Sequence, residues 1–120
     1  MRGNDIVEVN LEKFHKLAGE MMFLEVDVLK LEEIKARIKD VKLQTEICSK
    51  YTPNNKEWHI GRIKYFVDHP ETIDAIEAYP SGTGISIEDG NHRYMACLIL
   101  NQKTIKVYLH GIQRILNILG

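Results

Sequence analysis

The run Tyr94-Met95-Ala96-Cys97-Leu98-Ile99-Leu100 contains no charged residue and has no polar face at helical spacing. A helix that is apolar around its whole circumference has to be buried between other elements, so this segment must lie near the centre of whatever the chain folds into. Ahead of it stand Ile85-Ser86-Ile87, which alternates as a strand does, and the polar string Glu88-Asp89-Gly90-Asn91-His92-Arg93. The pattern predicts a strand, a glycine turn and a buried helix running to about Asn101, with the helix's polar groups crowded at its N-terminal end.

Around this nucleus the chain reads as alternating elements. Ile6 to Leu11 alternates as a half-buried strand, and Leu11 to Met22 has the composition of a short helix weakened by Gly19. Phe23 to Leu29 alternates again and predicts a single strand. Leu31, Ile34, Ile38 and Val41 recur at helical spacing, which predicts an amphipathic helix over 31–41. Tyr51 to Asn55 is a loop by composition, and Asn54 or Asn55 can cap a helix that runs to Asp68. His69-Pro70 stops it, because the residue before proline is pushed out of the α region. Ala75 to Tyr79 and Ile85 to Glu88 are expected to pair as a hairpin around Pro80–Gly84, and Thr104 to Leu109 as a last strand. Ile112, Ile115, Leu116 and Leu119 give the tail an apolar stripe, which packs on the core or joins two copies in a homodimer.

Size and charge bound the function. A chain of 120 residues supports one core, so residues 1–120 are expected to form a single domain. Sixteen basic residues against seventeen acidic ones predict no bulk attraction to nucleic acid or to an anionic membrane. The N-terminus has no signal-peptide pattern, and the longest apolar run, Met95 to Leu100, is too short to span a bilayer. Cys48 and Cys97 form no CxxC and no disulfide framework, the usage of a reducing compartment. A cytoplasmic protein is expected. His15, His59, His69 and His110 have no metal-ligand spacing with one another or with either cysteine, which argues against structural zinc.

The chemistry is concentrated at the turn. Free backbone N–H groups and the positive dipole end make a helix N-terminus an anion site. Gly90 lets the backbone approach a ligand closely, His92 adds a donor, and Arg93 can grip a phosphate with two parallel hydrogen bonds. Asp89, with Glu88, can hold a magnesium ion that accompanies a nucleotide. The same letters have a structural reading: Asp-Gly is a common hairpin turn, Tyr94 to Leu100 could be a buried strand, and Arg93 could pair with Glu88 or Asp89 inside the fold. Residue physics leaves both readings open.

On these residues the segment resembles the helix-start motif of the ParB/sulfiredoxin superfamily. His92-Arg93-Tyr94, Ala96 and Asn101-Gln102-Lys103-Thr104-Ile105 are similar in letters to sulfiredoxins. Asp89-Gly90-Asn91-His92-Arg93 is similar to ParB-type nuclease or nucleotide-binding domains of phage and plasmid proteins. The likeness covers residues 73–109, and the N-terminal third agrees only in element order.

The resemblance implies an α+β fold, a small mixed sheet flanked by helices. It also implies that Gly90, Asn91, His92 and Arg93 cradle the phosphates of a nucleoside triphosphate or diphosphate, with Asp89, His92 and Arg93 central to any catalysis. Members bind ATP, CTP or ADP at this turn. Sulfiredoxins carry their catalytic cysteine immediately before His-Arg. Here that residue is Asn91, and Cys97 lies nearly two helical turns away on another face, so sulfinic-acid reduction is excluded. Partition ParB proteins continue into a helix-turn-helix region, which is not expected in a sequence ending at Gly120. Kinase-like members need a further carboxylate base, for which Glu25, Asp27, Glu32 and Glu33 are candidates. His59 reads as an ordinary helix residue, while Arg62 and Lys64 are candidates for a second phosphate contact, because the family topology brings their helix near the turn.

Two function classes are compatible with these features. One is a nucleotide-binding enzyme, an NTPase or a nuclease. The other is a non-enzymatic phage- or plasmid-type module that binds DNA or a partner protein. Fold likeness alone does not choose between them.

Overall fold

The computed structural model describes residues 6–25, 27–45 and 55–109. They form an α+β fold, with a four-stranded mixed sheet, a separate two-stranded ribbon and flanking helices. Among the described residues no helix is long and apolar enough to cross a membrane. The apolar stripe at 112–119, Cys48, His110 and most of the loop before Asn55 lie outside the described residues.

Strand β1 (Ile6–Asn10) runs directly into helix α1 (Leu11–Ala18), because the Asn10 side chain accepts the Lys13 N–H at 2.9 Å and caps it. The helix stops well short of Met22: Gly19 takes a positive φ of 85° and its N–H closes on the His15 carbonyl.

The expected strand over 23–29 is two strands. β2 (Met21–Phe23) and β3 (Val28–Lys30) pair antiparallel, with Met22 opposite Leu29. The chain reverses between them, where Leu24 N–H donates to the Asp27 carbonyl and the Asp27 carboxylate accepts the Val28 N–H at 2.7 Å. Such a side-chain bond to the adjacent backbone competes with strand pairing. Helix α2 (Leu31–Arg37) is shorter than the 31–41 expected, although Val41 beyond it is also buried.

Helix α3 (Lys56–Asp68) is capped by Asn55, whose side chain accepts the Trp58 N–H at 2.7 Å, and it ends at His69 before a single 3₁₀ turn, Pro70–Thr72. The expected hairpin comes next as β4 (Ile76–Ser81) and β5 (Gly84–Asp89). Helix α4 (Asn91–Ile99) and β6 (Thr104–Leu109) complete the described chain. The strand order is β1-β6-β4-β5, with β6 parallel to β4 and the other pairs antiparallel.

The reading of Tyr94 to Leu100 as a strand is thereby excluded. Tyr94, Met95, Ala96, Cys97 and Leu98 are buried, while Ile99 and Leu100 are only half-buried at the helix end. Tyr94 meets Phe14 of α1 edge-on at 5.6 Å between ring centres, and its hydroxyl donates to the Gly19 carbonyl. One bond thus ties the motif helix to the turn that ends α1. Tyr94→Phe keeps the ring and removes the donor, and is expected to cost about 1–2 kcal/mol in urea unfolding. An unchanged midpoint would show that this bond contributes nothing.

Candidate functional site

The turn between β5 and α4 is shaped before any ligand enters. In the β4–β5 ladder Ala78 faces Ile87 while Glu77 faces Asp89, so Glu88 is an extra, bulged residue. A bulge at an edge strand bends it and re-aims the residues beyond it. Gly90 then takes φ +101° and precedes α4 with no capping side chain. A Cβ there would lie 2.6 Å from Ile76 Cγ2, so both backbone conformation and packing require glycine.

Arg93 is held on two sides. Its Nη1 donates to the Ala75 carbonyl at 3.0 Å and its Nη2 to the Asp89 carboxylate at 3.2 Å. The side chain is only 17% exposed, against 69% for Asp89. The internal pair of the structural reading is therefore present, with Asp89 as the partner of Arg93. The same arginine also lines a cleft of about 380 Å³, together with Gly90, His92, Asp89, Asp74 and Arg62 of α3.

Arg62 reaches this cleft with its guanidinium over the Tyr65 and Phe66 rings, 4.9 and 4.6 Å from their centres, and one nitrogen 3.3 Å from the Gln44 carbonyl. Lys64 does not join it. It is not among the residues that line the cleft, and its ammonium donates to the Lys39 and Val41 carbonyls. Asn91 lines a neighbouring cleft that shares Asp89, Gly90 and His92 with the first.

His92 is packed against a second histidine. His59 Nδ1 lies 2.8 Å from His92 Nε2, with the two rings nearly parallel at 7°. Trp58 stands edge-on to both, at 5.1 and 6.0 Å between ring centres. A 2.8 Å contact between imidazole nitrogens requires an N–H on one and a lone pair on the other, so the two rings cannot both be protonated there. Burial lowers the His92 pKa to about 3, reinforced by His59, Arg62 and Arg93 nearby, and burial also lowers that of His59. Both rings are therefore neutral at neutral pH.

Reading His59 as an ordinary helix residue overlooks this pair. Nothing local marks it: His59 and Arg62, three residues apart, share a face of α3, but only packing brings His59 to His92 and Arg62 to the cleft that Arg93 lines.

The candidate carboxylate bases separate clearly. Asp27 and Glu33 are both paired to Lys56, at 3.4 and 3.0 Å. The Val28 N–H holds the Asp27 carboxyl below its usual range, and the Lys56 hydrogen bond does the same for Glu33. Glu32 lines a separate cleft near His15 and Lys30. Of the four, Glu25 lines a cleft that includes the turn. Among the described residues no group of three or more His, Cys, Asp or Glu side chains is arranged to hold a metal ion. Cys97 is buried within α4, and burial pushes its thiol up to about 11, far from a reactive thiolate. Set against protein-family models, curated proteins and solved structures, the chain matches none.

Proposed function

We propose that this protein binds the phosphate groups of a nucleotide in the cleft between α3 and the Gly90 turn. The observation that carries the reading is the convergence of Arg62 and Arg93, from different helices, on a cleft that also takes in Gly90 and the uncapped start of α4. Two guanidinium groups beside a helix N-terminus favour a multiply charged, oxygen-rich anion. The aromatic rings under Arg62 restrain it, so less freedom is lost on binding.

Asp89 fits the same account as a stand-in for the ligand. An exposed carboxylate on an arginine contributes little to stability, so a phosphate can displace it. Asp74 and Asp89 are then the carboxylates at hand for a magnesium ion arriving with a nucleoside triphosphate or diphosphate. The reading agrees with the turn's resemblance to ParB-like domains and with a cytoplasmic setting. NTP or phosphodiester hydrolysis would be a further step, with Asp89, His92 and Arg93 as the groups at the phosphates. The competing reading, a module that binds DNA or a partner protein without catalysis, draws on the fact that Arg93 already has two partners within the fold.

Calorimetric titration with ATP, CTP, GTP, ADP and pyrophosphate, with and without magnesium, tests the proposal. Arg62→Ala is expected to weaken binding about ten- to a hundredfold, the loss of one charge-assisted interaction. Asp89→Asn, measured without magnesium, should strengthen it by a few-fold, because the anion no longer competes with an internal carboxylate. Arg93→Ala is a poorer probe alone, since it also strands the Ala75 carbonyl and should lower the melting temperature. A wild type that binds none of these anions would refute phosphate binding and leave the module reading. Phosphate release from the same samples reports turnover.

A further inference from the structure

We infer that the second cleft beside the Gly90 turn receives the base of the same nucleotide, with the Phe23 ring as its stacking face. The inference rests on phosphate binding in the first cleft and specifies the other end of the ligand. The two clefts adjoin, since Asp89, Gly90 and His92 line both. The second has a volume of about 340 Å³ and is bounded by Phe23 and Leu24 at the end of β2, by His59, and by Glu25, Glu88 and Asn91. A molecule with phosphates on the Arg62 side and its remaining bulk across the turn enters this space.

The lining suits a nucleobase. Phe23 is 77% exposed, the most exposed of the large hydrophobic side chains among the described residues, while its neighbour Met22 is buried opposite Leu29. Single exposed apolar residues are ordinary, but this one is at the lip of a cleft whose other residues are mostly polar. A flat aromatic face beside carboxylates and an amide is the combination that holds a base, by stacking on the ring and by hydrogen bonds at the base edge. Carboxylates accept from exocyclic amino groups, and an asparagine amide can both donate and accept. Glu25, Glu88 and Asn91 therefore favour adenine, cytosine or guanine over uracil, which has no amino group.

His92 lines both subsites, and its partner His59 lines the second. Both rings are neutral, so they add no charge to the base side.

The test titrates the intact chain with pyrophosphate, ATP, CTP and UTP, comparing wild type with Phe23→Ala and Phe23→Trp. Wild type should bind ATP and CTP more tightly than pyrophosphate or UTP. Phe23→Ala should weaken ATP binding roughly five- to a hundredfold, the range of one lost stacking contact, and leave pyrophosphate binding unchanged. Phe23→Trp should retain ATP binding. Because Phe23 is exposed, Phe23→Ala should melt as wild type does, and its melting temperature checks that it remains folded. If wild type binds pyrophosphate and ATP equally, or if Phe23→Ala binds ATP as wild type does, the base subsite is refuted while phosphate binding stands. A wild type that binds neither refutes both.

Discussion

Gly90→Ala is expected to destabilise the protein by about 2–5 kcal/mol, the sum of a backbone and a packing penalty. The backbone part comes from φ +101°, which an L side chain rarely adopts and which costs roughly 1–2 kcal/mol. The packing part comes from Ile76, whose Cγ2 and Cβ would lie 2.6 and 2.9 Å from the added methyl. Ile76 is fully buried in β4 and is fixed in register against Val107 of β6, so it cannot swing aside. Overpacking at such a site typically costs about 1–3 kcal/mol more. Gly82 in the β4–β5 turn is the natural control: it too has a positive φ, 59°, but a Cβ there meets nothing within 4 Å. Gly82→Ala should lose only the backbone part. Urea unfolding of the two variants separates the contributions, and equal losses would mean that the contact with Ile76 does not matter.

That contact also explains why the motif is legible in the sequence. The glycine, the polar string and the apolar run Tyr94–Leu100 are consequences of one arrangement, a tight strand-to-helix turn over a buried helix, and each leaves its own mark on the sequence. The capped start and proline-blocked end of α3 are equally local, so they too can be read directly.

The ribbon over 21–30 is not legible, because alternation is identical in one strand and in two arms of a hairpin. The deciding interaction, the Asp27 carboxylate on the Val28 N–H, involves a residue that also reads as an ordinary strand polar position. Pro80 is misleading in a different way. It suggests the start of a turn, yet β4 continues through Ser81. Among the described residues β6 pairs with β4 at Ile76–Ala78, which does not reach Pro80, and the proline stands opposite Ile85 of the edge strand β5. At the site, Arg93 and Asp89 are readable as partners because they stand four residues apart across the helix start. His59 and His92 are not, since only the packing of α3 on α4 brings them together.

Acid should undo that packing. In the folded protein His92 has its pKa lowered from 6.5 to about 3, and His59 is shifted in the same direction. The unfolded chain takes up protons at these positions below about pH 6.5, whereas the folded protein resists until far lower pH. The depressed folded pKa therefore means that stability is full above the unfolded value and is lost as pH falls toward the folded one. For His92 alone the linkage amounts to about 2 kcal/mol between pH 7 and pH 5, and to about 4–5 kcal/mol by pH 3. Asp27 and Glu33, whose carboxyls are held below their usual values, remain ionised in the upper window and do not add to the loss there. Trp58, the single tryptophan, is buried against both imidazoles, so its emission reports the unfolding directly. His92→Gln should be less stable than wild type at pH 7, since it abandons the bond to His59, but its stability should fall less steeply between pH 7 and pH 5. If wild type shows no loss over that interval, or the variant falls just as steeply, His92 is not the neutral imidazole that couples α3 to α4.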